Sequence, residues 1–346
     1  MNLPDLLFSN CTLTPPIHRD IVPEIQKVCL DNDDIAKFKC IGKSVEGRDI
    51  FAFTVGTGPK KVSLIAGSHA DEPVGASTIS LFLIETLKNR KALSSLFQHY
   101  TFYCIPFINP DGEVRNQAWL EIWPDISAYI TLASRELPGN DIEFGYPQMR
   151  PENQAASKFW KSIAPLHLHI SLHGMGFAEG AMLLIERHWS SRTQNLRDAF
   201  AKFASDLQIG LHVHNRKGEK GFFYIEDGFS TTPEAEAMKS HFLSLHDPQT
   251  ASFFHNTSME YIRSLGGDPL CLVTEIPLFK LRSSNQNTKV PDNYLKFKKL
   301  LPNFKDHLIK GDSIEQEIKK FIDKPIDFKQ AIKLQLFTID QALKLI

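Results

Sequence analysis

The sequence lacks an excess of either charge and has few cysteines. Forty acidic and thirty-nine basic residues give a formal charge of −1, whereas proteins dedicated to nucleic acids or membrane surfaces usually carry a basic excess. The cysteines are odd in number, widely scattered and without CxxC spacing: Cys11, Cys29, Cys40, Cys104 and Cys271. These features argue against a disulfide framework, a cysteine zinc site, and a nucleic-acid or membrane partner.

Long apolar segments are missing as well. No run approaches the roughly 18 apolar residues of a membrane span. The first residues, MNLPDLLFSNCTLTPP, lack the basic and apolar regions of a secretion signal. We therefore expect a cytoplasmic protein with reduced thiols. The apolar fraction of 42% suffices for one large core or two modest ones, and the oligomeric state is left open.

Apolar strand patterns alternate with helical patterns along most of the chain. A hairpin is predicted around Glu46-Gly47, and further strands at 60–67, 100–110, 166–173, 181–186 and 271–276. Helical patterns lie at 17–30, 76–89, 152–163, 193–207, 233–245 and 257–265. This alternation predicts an α/β fold with a central mixed, mostly parallel sheet flanked by helices.

The end of the chain has a different pattern. From residue 287 onward it is lysine-rich, carries helical patterns such as SIEQEIKKFID, and has no convincing strand. We predict a main domain over residues 1–286 and a helical C-terminal extension over residues 287–346.

Metal-binding residue types follow several predicted strands. His69 and Glu72 stand three apart after one strand, His173 precedes Gly174 at the end of another, and Glu275 ends a third. A catalytic zinc typically takes three protein ligands and keeps one position for water. His167 and His169 share the strand face of His173, but histidines in mid-strand are more often core residues or neighbours of ligands.

The spacing of His69 and Glu72 is weak evidence alone. Five segments of the chain, however, occur in the same order as the motifs of a known family. These are IGKSVEGRDI, GSHADEPVG, INPDGEVRN, SLHGMG and LVTEIP, over roughly residues 38 to 280. In this the chain resembles the zinc metallocarboxypeptidases of the carboxypeptidase A type. The resemblance implies a mixed sheet flanked by helices, one Zn²⁺ per chain, and metallopeptidase activity on a peptide or small amide substrate.

The resemblance also implies roles for matching residues. His69, Glu72 and His173 match the zinc ligands, and Glu275 matches the general base that takes a proton from the attacking water and returns it to the leaving amine. The ion would lower the pKa of that water and polarise the scissile carbonyl.

Two further roles are implied with alternatives. Arg115, just after the Asn-Pro-Asp-Gly turn, resembles the arginine that stabilises the developing oxyanion, and Arg135 is the alternative. Tyr261 resembles the mobile tyrosine that covers bound substrate, but a tyrosine packed within a helix is the competing interpretation.

One departure from the family concerns the substrate. Typical members have an Asn-Arg pair that grips the terminal carboxylate of the substrate, and Glu143 and Phe144 stand in that place. Arg150 is a candidate to supply the grip from elsewhere. Glu143 either binds an ammonium group of the substrate or makes a salt bridge at the rim. Asp268 either favours a basic side chain or stabilises a turn.

Three functions therefore compete. The first is hydrolysis of a peptide or peptide-like amide. The second is deacylation of small N-acyl amino acids, as in the related desuccinylase and aspartoacylase group, which also keeps an Asn-Arg pair. The third is a non-catalytic zinc-containing binding protein. A purely structural zinc site is disfavoured, since such sites usually have four ligands and are rich in cysteine.

Overall fold

The computed structural model describes residues 3–8, 11, 13–284 and 286–346. Ten strands in this part of the chain form one sheet: β1 (Ala36–Lys43), β2 (Asp49–Val55), β3 (Lys60–Ala66), β4 (Tyr100–Ile105), β5 (Leu168–Ala178), β6 (Met182–Ile185), β7 (Tyr224–Glu226), β8 (Phe229–Thr231), β9 (Leu270–Leu281) and β10 (Ile322–Pro325). The predicted hairpin is confirmed, because β1 and β2 pair in antiparallel fashion.

Helices connect and cover these strands. They are α1 (Leu3–Phe8), α2 (Val22–Leu30), α3 (Pro73–Lys88), α4 (Ser94–His99), α5 (Pro110–Leu120), α6 (Ile126–Leu132), α7 (Pro151–Ile163), α8 (Gln194–Asp206), α9 (Ala235–Ser244), α10 (Pro248–Ser252), α11 (Ser258–Ser264), α12 (Asp292–Ile309), α13 (Glu315–Phe321) and α14 (Phe328–Leu343). Each predicted helical segment overlaps one of them. Among the described residues, no helix has the length and apolar character needed to cross a membrane.

The sheet is mixed with a parallel centre, as predicted. Its order is β1-β2-β4-β3-β5-β9-β6-β8-β7, and β10 pairs with β9. The central strands β4, β3, β5 and β9 run parallel, whereas β1, β2, β6 and β10 join through antiparallel pairs. The carboxyl ends of the parallel strands therefore meet along one edge, where ligand sites of α/β folds usually lie.

Apolar side chains cover both faces of the sheet. One cluster includes Val62, Leu64 and Leu172 and packs under α3, α8 and α14. The other includes Ile65 and Trp160 and packs under α7 and α11. Neighbouring strand residues alternate between the clusters because successive strand side chains point to opposite faces.

The C-terminal segment is mostly helical, as predicted, with one difference. Residues 322–325 form β10, which pairs with residues 279–281 of β9. The segment IDKP lacks an apolar strand pattern, so its extended form depends on this pairing. α14 packs against α3 and α8, and the ring of Phe337 stacks on Phe203 of α8 with centroids 4.1 Å apart. The boundary between residues 286 and 287 stays a prediction.

Candidate metal centre

The register of the three strands β3, β5 and β9 brings the predicted site residues together. Ala66, the last residue of β3, is the partner of Leu172 on β5. The next residue of β5, His173, is the partner of Glu275 on β9. Paired residues on neighbouring strands are about 5 Å apart, so the third predicted ligand and the predicted base are direct neighbours.

A turn after β3 supplies the other two ligands. Gly67 leaves the strand with φ +78°, a conformation that favours glycine. His69 follows, and Glu72 occupies the N-cap position of α3 without a side-chain capping bond. Pro73 takes the first helical position, where the absent N–H of proline costs nothing. The chain thus turns within six residues and directs an imidazole and a carboxylate toward His173.

The donor atoms of His69, Glu72 and His173 fit a zinc ion. The Nδ1 atoms of the two rings are 3.0 Å apart, and Glu72 Oε2 is 3.3 Å from Nδ1 of His69 and 2.9 Å from Nδ1 of His173. Four ligands placed tetrahedrally at zinc bond lengths stand about 3.3 Å from one another. All three residues are at least mostly buried, and their ligand atoms lie within 4.8 Å of one another.

The prediction that a strand ends at His173 is wrong, because β5 continues to Ala178. The glycines allow close packing instead of ending the strand. A Cβ on Gly174 would lie 2.9 Å from the carbonyl oxygen of Ile276, and one on Gly176 would lie 2.3 Å from the hydroxyl oxygen of Tyr129. The N–H of Gly174 also donates to Glu72 Oε2 at 3.1 Å, which holds the carboxylate beside the histidine.

The structure distinguishes His173 from the two other histidines of the predicted strand at 166–173. His169 is fully buried beside Trp160 and Ser63, and burial lowers its pKa to about 4. His167 is exposed, and its Nδ1 accepts the N–H of Lys61. His173 is the strand residue grouped with His69 and Glu72.

Glu275 is partly exposed beside this group. Burial of its carboxyl group, followed by the negative charge of Glu72, raises the pKa of Glu275 to about 8. The pKa of His69 is raised as well, but for a histidine this favours the charged form. Burial and Arg135 disfavour its charged form, but the carboxylates of Glu72 and Asp141 outweigh them and raise the pKa of His69 to about 9. The site therefore favours the charged form of His69, whereas the carboxyl group of Glu275 favours its protonated form.

Of the two predicted oxyanion arginines, the structure brings Arg135 to the ligands. Its Nη2 lies 2.7 Å from Glu72 Oε1 and 2.6 Å from His69 Nδ1. Arg115 lies on α5, and its guanidinium pairs with Glu46 and Glu136, both at 2.8 Å. The oxyanion role of either arginine stays a prediction, and the geometry favours Arg135.

The four other predicted residues lie around or outside the donor group. Glu143 is buried, and its Oε2 is 3.2 Å from Nε2 of His173. Tyr261 lies on α11, where its ring stacks on Tyr146 and its hydroxyl donates to the carbonyl oxygen of Ser157 at 3.3 Å. These contacts fit the interpretation of Tyr261 as a packed helix residue, and the substrate-covering role stays a prediction.

Arg150 and Asp268 have ionic partners of their own. Arg150 is buried, pairs with Glu152 at 2.8 Å, and donates to the carbonyl oxygen of Asn140. It therefore supports the loop before Glu143. Asp268 pairs with Arg192 at 2.6 Å and precedes the amino end of β9. Five strand residues separate that end from Glu275, about 17 Å, so the structure does not bring Asp268 into the site.

Asp141 is a site residue that the sequence reasoning missed. Its Oδ1 lies 3.2 Å from Nε2 of His69, on the side of the ring opposite to the donor atom. Carboxylates in this position fix the tautomer and orientation of a ligating histidine. The signal available in the sequence was the spacing of two in Asp141-Ile142-Glu143, which places two acids on one short turn.

Comparison with known proteins agrees with the motifs. Residues 21–125 match the model of a family described as zinc carboxypeptidase, a segment that includes His69 and Glu72. The inactive metallocarboxypeptidase ECM14 of Ajellomyces capsulatus strain H143 is 37% identical over 113 residues, which are 30% of this chain and 19% of that protein. Its namesake in Ajellomyces dermatitidis is 40% identical over 93 residues, 24% of this chain and 16% of that protein. These matches span less than a fifth of the relatives' length.

Solved structures resemble the whole fold. Carboxypeptidase A from Helicoverpa armigera has a TM-score of 0.52 at 15% identity, covering 89% of this chain and 78% of its own. A metallo-carboxypeptidase from Pseudomonas aeruginosa has a TM-score of 0.50 at 17% identity, covering 95% and 69%. Identities this low establish the fold alone. The predicted resemblance is confirmed: this chain matches the zinc carboxypeptidase family over residues 21–125 and has the metallocarboxypeptidase fold.

Proposed function

We propose that the chain is a zinc-dependent hydrolase that cleaves a peptide or peptide-like amide bond. The observation that carries this proposal is the pairing of His173 with Glu275 across neighbouring strands. It places the carboxyl group of Glu275 next to the group formed by His69, Glu72 and His173. A structural zinc site has four protein ligands and no bound water, so it does not need a neighbouring carboxylate as a base.

Each residue of the group would have a separate role in the hydrolysis. His69, Glu72 and His173 would hold a zinc ion, which would supply a Lewis acid for the carbonyl group and for the attacking water. Glu275 accepts a proton from the attacking water on its carboxylate. As the C–N bond breaks, Glu275 returns that proton to the leaving nitrogen, and the products are a carboxylate and an amine.

Arg135 is suited to stabilise the developing oxyanion. Its guanidinium is a permanent cation that contacts Glu72 Oε1 and His69 Nδ1, which places it at the edge of the donor group. Loss of a single donor of this kind typically costs about 3–4 kcal/mol of transition-state stabilisation.

We propose a substrate that the chain binds without the Asn-Arg pair with which typical family members hold a terminal carboxylate. Phe144 stands where the grip of typical family members has arginine, and its ring packs edge-on against Phe254 with centroids 5.2 Å apart. A phenyl ring cannot donate the paired hydrogen bonds that a terminal carboxylate needs. The substrate is therefore a peptide or small amide that is recognised through other groups. We also propose a cytoplasmic location, from the scattered cysteines of the sequence.

A cleavage assay with Glu275→Gln tests this function. A peptide library and a set of N-acyl amino acids are incubated with zinc-loaded wild type, with Glu275→Gln, and with Asp268→Asn as an exposed control. We expect the glutamine variant to keep zinc and to lose at least about a hundredfold in rate, the typical contribution of a general base. The control should retain full activity. Wild type that binds zinc but cleaves neither class would contradict the proposal and favour a binding protein.

A further inference from the structure

One short turn supplies a carboxylate to each of the two histidines at the candidate metal centre. Asp141 contacts Nε2 of His69, and Glu143 contacts Nε2 of His173, both at 3.2 Å. The two acids flank Ile142 at the start of a 3₁₀ turn over residues 142–144. Each ring thus has a donor atom on its inner side and a carboxylate on its outer side.

Both carboxylate oxygens of Glu143 already have partners within the protein. Oε1 accepts the N–H and the hydroxyl of Ser258, at 3.1 and 2.7 Å. Oε2 faces His173 and accepts the hydroxyl of Ser171 at 3.3 Å. The residue is only 5% exposed. A substrate ammonium group would have to displace these contacts before it could bind Glu143.

The turn itself is fixed from two sides. Asn153 of α7 donates its side-chain N–H to the carbonyl oxygen of Ile142 at 2.8 Å. The carboxylate of Asp141 accepts the N–H of Glu143 at 3.0 Å, and Arg150 donates to the carbonyl oxygen of Asn140 at 2.8 Å. These bonds give the carboxylate of Glu143 a defined position relative to the ring of His173.

We propose that Glu143 is a positioning residue for His173, and this inference rests on the proposed zinc site. Its carboxylate accepts a proton-bearing Nε2 and so fixes the tautomer in which Nδ1 presents a lone pair beside Glu72. Partners of this kind orient ligating histidines and raise their basicity, and their loss typically weakens metal binding about 10–100-fold. The residue that replaces a substrate-gripping amide in the family pattern therefore serves the metal.

Zinc affinity of full-length variants tests the proposal. The dissociation constant for zinc alone is measured by competition with a chromophoric chelator for wild type, Glu143→Gln and Glu143→Leu. The matched control is Glu179→Gln, a buried carboxylate that binds Ser284 instead of a histidine. We expect Glu143→Gln to weaken zinc binding about tenfold and Glu143→Leu up to about a hundredfold, whereas the control binds as wild type.

A second readout does not depend on fold stability. Long-range ¹H–¹⁵N spectra of the zinc-bound protein should show the proton of His173 on Nε2, with a resonance that shifts in Glu143→Gln more than that of His69. Unchanged zinc affinity in both variants, with a raised KM for amine-bearing substrates alone, would overturn the proposal in favour of a substrate contact. Wild type without zinc would refute the metal site itself, whereas equal affinity of wild type and variants would refute the role of Glu143 alone.

Discussion

Gln335 of the C-terminal helix α14 connects three elements that carry the candidate site. Its Nε2 donates to the carbonyl oxygen of His173 at 3.1 Å and to Thr274 Oγ1 at 3.0 Å. Its Oε1 accepts the hydroxyl of Thr78 on α3 at 2.5 Å. The side chain is fully buried, so these groups have no water to replace a lost partner.

We therefore expect Gln335→Leu to destabilise the protein by about 2–4 kcal/mol. Leucine fills most of the volume, so the loss comes from hydrogen bonds. A net hydrogen bond is worth about 1 kcal/mol, and a buried group left unsatisfied costs about 1–3 kcal/mol. Thr78 keeps a bond to the carbonyl oxygen of Val74, which limits its share of the loss.

Urea unfolding of the metal-free protein measures this effect, with Gln341→Leu as the control. Gln341 lies on the same helix, and its amide donates to the adjacent Asp340. We expect the midpoint of Gln335→Leu to fall without a change in the denaturant slope, and the control to change by less than about 1 kcal/mol. Equal midpoints for the two variants would refute the argument that α14 stabilises the site-bearing strands.

Three further predictions concern the site. Gly75→Ala should destabilise the folded protein by about 1–3 kcal/mol and weaken zinc binding, because the new Cβ would lie 2.1 Å from the carbonyl oxygen of Leu172 and push α3 away. Calorimetry measures the loss of stability, and chelator competition measures the zinc affinity. Phe144→Arg should raise the kcat/KM ratio of free-acid to C-terminally amidated peptides about tenfold or more, and an unchanged ratio would contradict the assigned place of the grip. Glu275 should lower the free energy of unfolding of the metal-free wild type, relative to that of Glu275→Gln, as pH rises from about 4.5 to 8. The folded state keeps the proton of Glu275 until about pH 8, while the unfolded chain releases it near 4.5. Urea unfolding of both proteins across this range measures the difference, and parallel pH profiles would contradict the raised pKa.

The central fold and the positions of two of the three candidate metal ligands could be predicted from local patterns. The strand at 60–67 and the helix after it are encoded by adjacent residues, so His69 and Glu72 were placed correctly at a strand–helix turn. The true length of β5 could not be predicted, because it depends on pairing with β9 beyond His173. A glycine that serves close packing and a glycine that ends a strand look the same in one sequence.

Long-range contacts were the part that the sequence did not reveal. Arg135 reaches Glu72 across 63 positions of the chain, and Asp141 reaches His69 across 72. Gln335 lies 162 positions from His173. No local period or motif links such pairs, since they meet only through the packing of loops and helices on the sheet. The resemblance to a family supplied Glu275 and His173 for the same reason: their proximity is a property of the fold.

The zinc content of purified protein tests the central claim most directly. Elemental analysis is performed on wild type, on His173→Ala and on His167→Ala as a control. His167 directly precedes β5, and its exposed ring accepts the N–H of Lys61. We predict about one zinc per chain in wild type and in the control, because a catalytic site binds one ion through three protein ligands, and loss of that zinc in His173→Ala. Wild type without zinc after reconstitution, or His173→Ala with zinc bound as tightly as in wild type, would contradict the account.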